Sequence, residues 1–362
     1  MHQAPASALQ SVAMAQRRVT IRDVAAEAQV STATVSLALN GKGEVDPNTR
    51  AKVLKTAERL GYKANPAARA LREGKFGTLG LTIPTFGADP GAEIISLDYY
   101  MQLAAGAAGA ALDADRPLIL VPARDDGSTV TKLRVDGLIV CDPTPDDPYV
   151  AACRARGIAV VTVESDIAHP DDPWHVNADN DADTRLLLDH LWDAGARTIA
   201  MIAPEPTWAW VQESRDAYLS WCAERSVSPR IEHAALEQLE ASARHTATRL
   251  LSRADRPDAL LTVADRHADG VARAARDLGL NVPGDLLLAS AIDNRSLEFS
   301  DPAITALDLR PALRGATAAQ LLLGLIDGSD VSGPVMIPSI LRVRASTTPT
   351  GKKTRKRSAG RK

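Results

Sequence analysis

From Thr78 onward, unbroken apolar runs alternate with stretches of helical periodicity, and few architectures accommodate that alternation. LGLTIP, PLILVP, DGLIVC and IAVVTV are too short for helices and lack the every-other-residue polarity of a half-exposed strand. Such runs form strands covered on both faces, and the covering helices lie between them in sequence, as in LDYYMQLAAGAAGAALDA. The theme restarts near Thr198 with TIAMIAP, SRDAYLSWCAERS, IEHAAL, a long helix to Ala254, DALLTVA, a helix to Leu278, and LLLASAID. Two such rounds predict an α/β body of two lobes on parallel sheets, with ligands bound where strand C-termini face the crevice. Asp125–Val135 is too short for a full helix between two strands, so the first lobe is expected to be trimmed there.

The segment before this body, TIRDVAAEAQVSTATVSLALNG (Thr20–Gly41), follows a different rule. Thr20 with Asp23 three residues on is a helix-start signal, in which a hydroxyl and a carboxylate satisfy orphan N–H groups. Ser31 starts a second helix the same way, with Val35, Ala38 and Leu39 as its inner face. Between them, Ala28-Gln29-Val30-Ser31 is too short for antiparallel packing, which predicts a helix-turn-helix. The outward face of the second helix then carries Thr32, Ala33, Ser36, Leu37 and Asn40, suited to base edges and phosphates in a major groove. A third helix is predicted from Pro47 to Leu60, with Val53, Leu54, Ala57 and Leu60 inward and Gly61 ending it.

Charge sorts with these regions. Arg17–Lys75 holds 12 basic against 6 acidic residues, and residues 351–362 hold 7 basic and none acidic. The full chain is −3, which leaves −16 on residues 76–350. A basic head and tail on an acidic body is the asymmetry of a nucleic-acid binder, although either run alone could be a solvated face. The tail, GKKTRKRSAGRK, has no apolar stripe to form a helical seam; it is expected to be disordered, either touching phosphates or only aiding solubility.

VTIRDVAAEAQVSTATVSLALNG, then VDPNTRAKVLKTAERLGYKANPAARALREGK, resembles the DNA-binding head of the LacI/GalR family of bacterial transcription regulators. The likeness runs without a gap from Val19 to about Lys75 and more weakly to about residue 348. It implies an all-α helix-turn-helix head on an α/β body of two periplasmic-binding-protein-like (type I) lobes, with chain crossovers near 164–176 and 289–311. The implied divisions are an extension at 1–16, a DNA-binding domain at 17–62, a hinge helix and linker at 63–76, an effector-binding and dimerisation domain at 77–348, and the tail at 349–362. The implied function is that of a repressor acting as a homodimer on a pseudo-palindromic double-stranded operator, its affinity set by a sugar-like or related small-molecule effector, with no cofactor. The implied DNA contacts on the head are Thr20, Arg22, Ser31, Thr32, Ala33, Thr34, Ser36, Leu37, Asn40, Lys42 and Arg50. In the N-P-x-A-R-x-L hinge, Asn65 would bind phosphate, Arg69 and Arg72 would approach the minor groove, and Leu71 would wedge into it, a geometry that kinks DNA. Leu37 departs from the long polar residue common at its place; it can offer only apolar contact, so Arg22, Lys42 and the hinge are expected to carry more of the affinity.

For the effector, the resemblance nominates Tyr99 and Tyr100 as a stacking pair, and Asp179 and Asp293 as carboxylates for vicinal hydroxyls. Ser214 stands where most members place a ligand-anchoring arginine, and Ala264 where many have asparagine. Trp208 and Trp210 either cap a ring-shaped ligand or pack against the lobe; Asp183 is read as a helix cap.

Other classes find little support. The glycine-rich phosphate and nucleophile-elbow motifs are absent. NADNDADTR spaces its aspartates like a calcium loop but has Thr184 and His190 where the loop needs glycine and glutamate. His169 and His175 flank a Pro/Asp-rich turn and read as loop residues rather than metal ligands. Cys141, Cys153 and Cys222 share no redox or metal spacing, which fits a reducing cytoplasm. No run approaches the length of a membrane span, and the first residues lack the basic and apolar regions of a signal peptide. The alternative from another class is a cytoplasmic small-molecule binding module whose helical head contacts proteins; nothing nominates a nucleophile or base for an enzyme.

Overall fold

The computed structural model describes residues 19–39, 43–62, 75–84, 98–123, 126–236 and 238–348. Two compact units divide the chain, Met1–Phe76 and Gly77–Lys362.

In the first unit, α1 (Ile21–Ala28), α2 (Thr32–Leu39) and α3 (Pro47–Arg59) surround a small core of Val24, Ala25, Ala28, Val35, Ala38, Val53 and Ala57. The Thr20 amide and hydroxyl donate to the Asp23 carboxylate at 2.8 and 2.7 Å, and Ser31 Oγ accepts from the Thr34 amide at 3.0 Å. Both predicted starts are thus in place. Gln29 reverses the chain in the left-handed region (φ 55°), which lets α1 stop within one residue. Asp46 caps α3 by accepting from the Thr49 amide at 2.9 Å, directly before Pro47. Leu54 corrects the sequence reading: it is exposed, while Thr56 is buried beside Val53 and Ala57. Val53, Thr56, Ala57 and Leu60 follow the i, i+3, i+4, i+7 spacing of one helix face, and Leu54 lies about 100° off it.

In the second unit, one lobe contains β1 (Leu79–Pro84), α4 (Asp98–Asp113), β2 (Leu118–Ala123), β3 (Gly137–Cys141), α5 (Pro148–Ala155), β4 (Ala159–Val163) and β5 (His175–Asn177). The other contains α6 (Asn180–Asp193), β6 (Ile199–Ala203), α7 (Ala209–Glu224), β7 (Ile231–His233), α8 (Leu239–Leu251), β8 (Ala259–Thr262), α9 (His267–Asp277), β9 (Leu287–Ser290), α10 (Arg295–Glu298) and β10 (Thr305–Asp308). Helix α11 (Pro311–Asp327) and β11 (Val335–Met336) return to the first lobe, and β12 (Ile340–Arg342) joins the second. The sheets have matching orders, β11-β5-β4-β3-β1-β2 and β12-β10-β9-β8-β6-β7.

The chain therefore crosses between lobes three times. The first crossing follows β5, just C-terminal to the expected 164–176, and the second lies between β10 and α11, inside 289–311. The third, at 337–339, was not foreseen. Residues 337–339 join two short strands: β11 is parallel to β5 in the lobe the chain leaves, and β12 is antiparallel to β10 in the lobe it enters.

Helix α11 belongs to the first lobe's core although it follows the second lobe in sequence. It meets α4 backbone to backbone: a Cβ on Gly106 would stand 1.8 Å from the Ala312 oxygen, and one on Gly315 1.9 Å from the Leu103 oxygen. The trimmed segment is a single 3₁₀ turn, Ser128–Thr131. Strand β2 departs from the doubly covered reading, because Ile119 and Leu120, on opposite faces, are 36% and 50% exposed. It is an edge strand whose faces are only partly covered, with Val121 buried and Ile119 and Leu120 left open. Among the described residues no helix is long and apolar enough to cross a membrane.

Candidate functional site

On the first unit, α2 displays the small polar face that the sequence predicts. Thr32 and Ala33 are exposed, Leu37 is 41% exposed, and Thr34 and Ser36 are half-buried at its margin. Thr20, Arg22 and Ser31 are exposed on the same unit, whereas the Arg50 guanidinium turns back to donate to the Gly43 oxygen at 3.3 Å. Asn40, Lys42, Asn65, Arg69, Leu71 and Arg72 lie outside the described residues.

In the second unit, a cavity lies between the lobes at the C-terminal ends of both sheets. Its free volume is about 60 Å³, room for a few waters and well below the ~300–1,000 Å³ of pockets that hold drug-sized ligands. Side chains from the two lobes also bond directly. Asn180 Nδ2 donates to Glu164 of the first lobe at 3.0 Å and to Glu213 of the second at 2.8 Å. The Arg295 amide donates to Asp98 at 3.1 Å. The lobes are closed on each other.

Tyr99 and Tyr100, from the first turn of α4, line the cavity with their rings edge to face at 5.2 Å. Trp210 lines it too, whereas Trp208 precedes α7 as its N-cap and stacks on Trp210 at 6.3 Å, packed on the lobe. Ser214 and Ala264 both face the cavity.

The carboxylates are arranged differently from the sequence reading. Asp179 is an exposed helix cap, accepting from the Ala182 amide at 2.9 Å, and Asp183 is the one that lines the cavity, accepting from Ser339. The two differ by one helical turn and so share a face; their assigned roles are exchanged. Asp293 is not in the cavity at all. Its two oxygens accept from both terminal nitrogens of Arg344 at 2.7 Å, on an outer groove with Asp98, Arg295 and Arg342. Its place in the lining is taken by Ile292 and Ala291.

Three acids absent from the sequence reading supply the remaining charge: Asp142, Glu164 and Asp265. Asp142 and Glu164 each directly follow an apolar strand, β3 and β4, where a parallel sheet presents residues to its crevice, and that position was the available signal. Both hold left-handed backbone (φ 46° and 70°), an arrangement costly for residues with a Cβ and concentrated at functional sites. Burial pushes the Asp142 carboxyl up to about 7 against the hydrogen bond from the Tyr100 hydroxyl, and that of Asp265 up to about 6. Burial likewise raises Asp183 and Glu213, and raises the Tyr99 and Tyr100 phenols. Behind the tyrosines, Arg314 is fully buried; it donates to Glu164 at 2.7 Å and to the Tyr99 hydroxyl at 3.2 Å.

Comparison with known proteins places both units. Residues 20–65 match the family model for bacterial regulatory proteins of the lacI family, and residues 188–347 match that for a periplasmic binding protein-like domain. The chain is 30% identical over 343 residues to catabolite control protein A of Priestia megaterium, covering 91% of this chain and 99% of that one. It is 29% identical over 344 residues to catabolite control protein A of Staphylococcus xylosus, with the same coverage. Among solved structures, a lac repressor dimer bound to operator and the anti-inducer ONPF superposes with a TM-score of 0.77 at 23% identity, covering 92% of this chain and all of that one. A complex of the transcriptional regulator CelR with cellobiose superposes with a TM-score of 0.69 at 24% identity, covering 91% of this chain and all of that one. The fold is a helix-turn-helix unit with two parallel-sheet lobes of the type I periplasmic-binding-protein kind.

Proposed function

The chain belongs to the lacI family of bacterial regulatory proteins, and from that premise we propose that it is a sequence-specific, DNA-binding repressor controlled by a small-molecule effector. The observation that carries this reading is the presence, in one chain, of a helix-turn-helix with an exposed small-residue recognition face and a closed cleft between two lobes. Residues 17–62 read DNA, 63–76 form the hinge, and 77–348 bind the effector and dimerise. Thr32, Ala33, Ser36 and Leu37 face the major groove; Thr20, Arg22, Ser31, Thr34, Asn40, Lys42 and Arg50 hold phosphates. Asn65 binds phosphate from the hinge, and Arg69, Leu71 and Arg72 engage the minor groove. Homodimers suit a pseudo-palindromic operator, since paired heads need paired half-sites. The bare edge of the first lobe, with Leu112, Ile119 and Leu120 exposed, supports pairing of two copies there.

Regulation follows from linkage: an effector that prefers one closure of the lobes shifts the dimer toward the DNA affinity of that closure. Asn180, Glu164 and Glu213 bridge the lobes beside the cavity, so a ligand there acts directly on the closure. The protein works in the cytoplasm and carries out no reaction; its cleft carboxylates bind and hold. A gel-shift titration against the DNA upstream of its own gene, at fixed salt, tests the reading. A specific shift over competitor DNA is the expected result, and binding no tighter than to random duplex rejects it in favour of a head that contacts proteins.

A further inference from the structure

We infer that the effector of this cleft is a cation: a small molecule with a protonated amine that pairs with Asp265 and an apolar or ring-shaped body that lies against Trp210. The inference rests on the reading of the cleft as the effector site.

The first observation is a single unfilled acceptor. Among the described residues four carboxyl side chains line the cavity, all with partners from the protein, and only Asp265 keeps a buried oxygen without one. Glu164 is held by Arg314 and Asn180, Asp142 by the Tyr100 hydroxyl, and Asp183 by Ser339. Asp265 is 7% exposed; Oδ1 accepts from Asn294 Nδ2 at 2.7 Å, and Oδ2, inaccessible to solvent, has no partner. Buried oxygens of this kind are costly to leave unmade, so the site is shaped for a donor that the protein does not supply.

The second observation is the sign of the charge. Among the described residues no lysine or arginine lines the cavity. The charges of two neighbouring cations are already paired. Arg314 is paired with Glu164 at 2.7 Å, and Arg266, next to Asp265 in sequence, turns to Glu240 at 3.3 Å and to Asp269 at 3.7 Å. A neutral ligand fills the acceptor but leaves the excess negative charge buried, whereas an ammonium removes both deficits. The acids already show this strain, because burial holds Asp265 and Asp142 partly protonated near neutral pH. An entering cation takes the place of those protons. Trp210 completes the chemistry: its ring face suits a cation or an apolar ring, and Nε1, also without a partner, calls for an acceptor on the ligand.

The test uses the full chain and matched probes, benzylamine against benzyl alcohol and glucosamine against glucose, by isothermal titration at pH 6 in two buffers of different ionisation enthalpy. The expected result is that at least one amine binds about tenfold tighter than its neutral partner and releases a fraction of a proton. Asp265→Asn should abolish the preference without lowering the melting temperature, and Trp210→Phe should weaken the amine while keeping it. Neutral probes binding as tightly as the amines, or an amine preference that survives Asp265→Asn, would overturn the cation while leaving the cleft a ligand site. If no probe of either kind binds, or binding is indifferent to both Asp265→Asn and Trp210→Phe, the cation inference fails together with the assignment of the effector to this cleft. The gel shift remains independent of either result.

Discussion

Arg314→Met isolates the energetics of the buried pair beneath the cleft. The Arg314 side chain is fully inaccessible and that of Glu164 is 5% exposed, at a separation of 2.7 Å. Removing the cation leaves the carboxylate with Asn180 as its remaining donor, and breaking a pair in such surroundings costs about 3–5 kcal/mol. By contrast, Arg59–Glu27, with both side chains at least half exposed, belongs to the class worth about 1 kcal/mol or less. The pair is nevertheless no net gain over neutral groups. Arg314 keeps Nε and Nη2 buried without partners, and each such atom costs on the order of 1 kcal/mol or more. Adding Glu164→Gln to Arg314→Met therefore restores most of the loss, to within about 1 kcal/mol of the parent, for a coupling of at least ~2 kcal/mol. Urea unfolding at pH 7, followed by circular dichroism and tryptophan fluorescence with coincident transitions, measures the parent, Arg314→Met, Glu164→Gln and the double variant, the four proteins that the coupling requires. A loss below about 1 kcal/mol for the single variant, or a double variant no more stable than the single, refutes the reasoning.

Asp142 makes stability depend on pH. Its folded carboxyl titrates at about 7 against an ordinary 3.8, so the folded protein binds an extra proton across that window and loses stability as pH rises through it. Asp142→Asn should raise the melting temperature at pH 8, leave it nearly unchanged at pH 4, and flatten the profile between; parallel profiles would contradict the shift. Gly315→Ala, which drives a methyl against the Leu103 oxygen, should cost about 1–3 kcal/mol or more and lower the melting temperature by several degrees, and an unchanged temperature would mean that α4 and α11 can part freely. Leu71→Ala should lose most specific operator affinity while ligand binding and the stability of the second unit stay intact; unchanged affinity at fixed salt removes the minor-groove wedge.

Much of this molecule was legible in its residues because the relevant signals are local. The caps at Thr20 and Ser31, the strand runs, and the trimmed segment before Val135 each depend on neighbours within a few positions. Leu54 misled because hydrophobicity alone does not place a residue on the inner face; phase does, and Thr56 fits it better. The cleft was harder. Tyr99 and Tyr100 were found, but Asp179 and Asp183 sit one turn apart, and only the helix start decides which one caps and which one looks inward. Asp293 is claimed by Arg344, 51 residues away, a pairing with no local trace. Strands β11 and β12 are two and three residues long, too short to show a period, so the third crossing could not be seen.

That third crossing changes the statistics of the molecule as well as its path. A two-lobed protein joined by one flexible strand would have a broad swarm of relative orientations, and any ligand would have to extinguish that freedom before signalling. Three passages through one narrow waist, one of them the three residues 337–339 pinned between a strand in each sheet, remove most sliding and swivelling in advance and leave bending as the soft coordinate. The orientational entropy is lost once, on folding, and not again at each binding event. A ligand too small to make many contacts can then spend nearly all of its binding energy on a single degree of freedom.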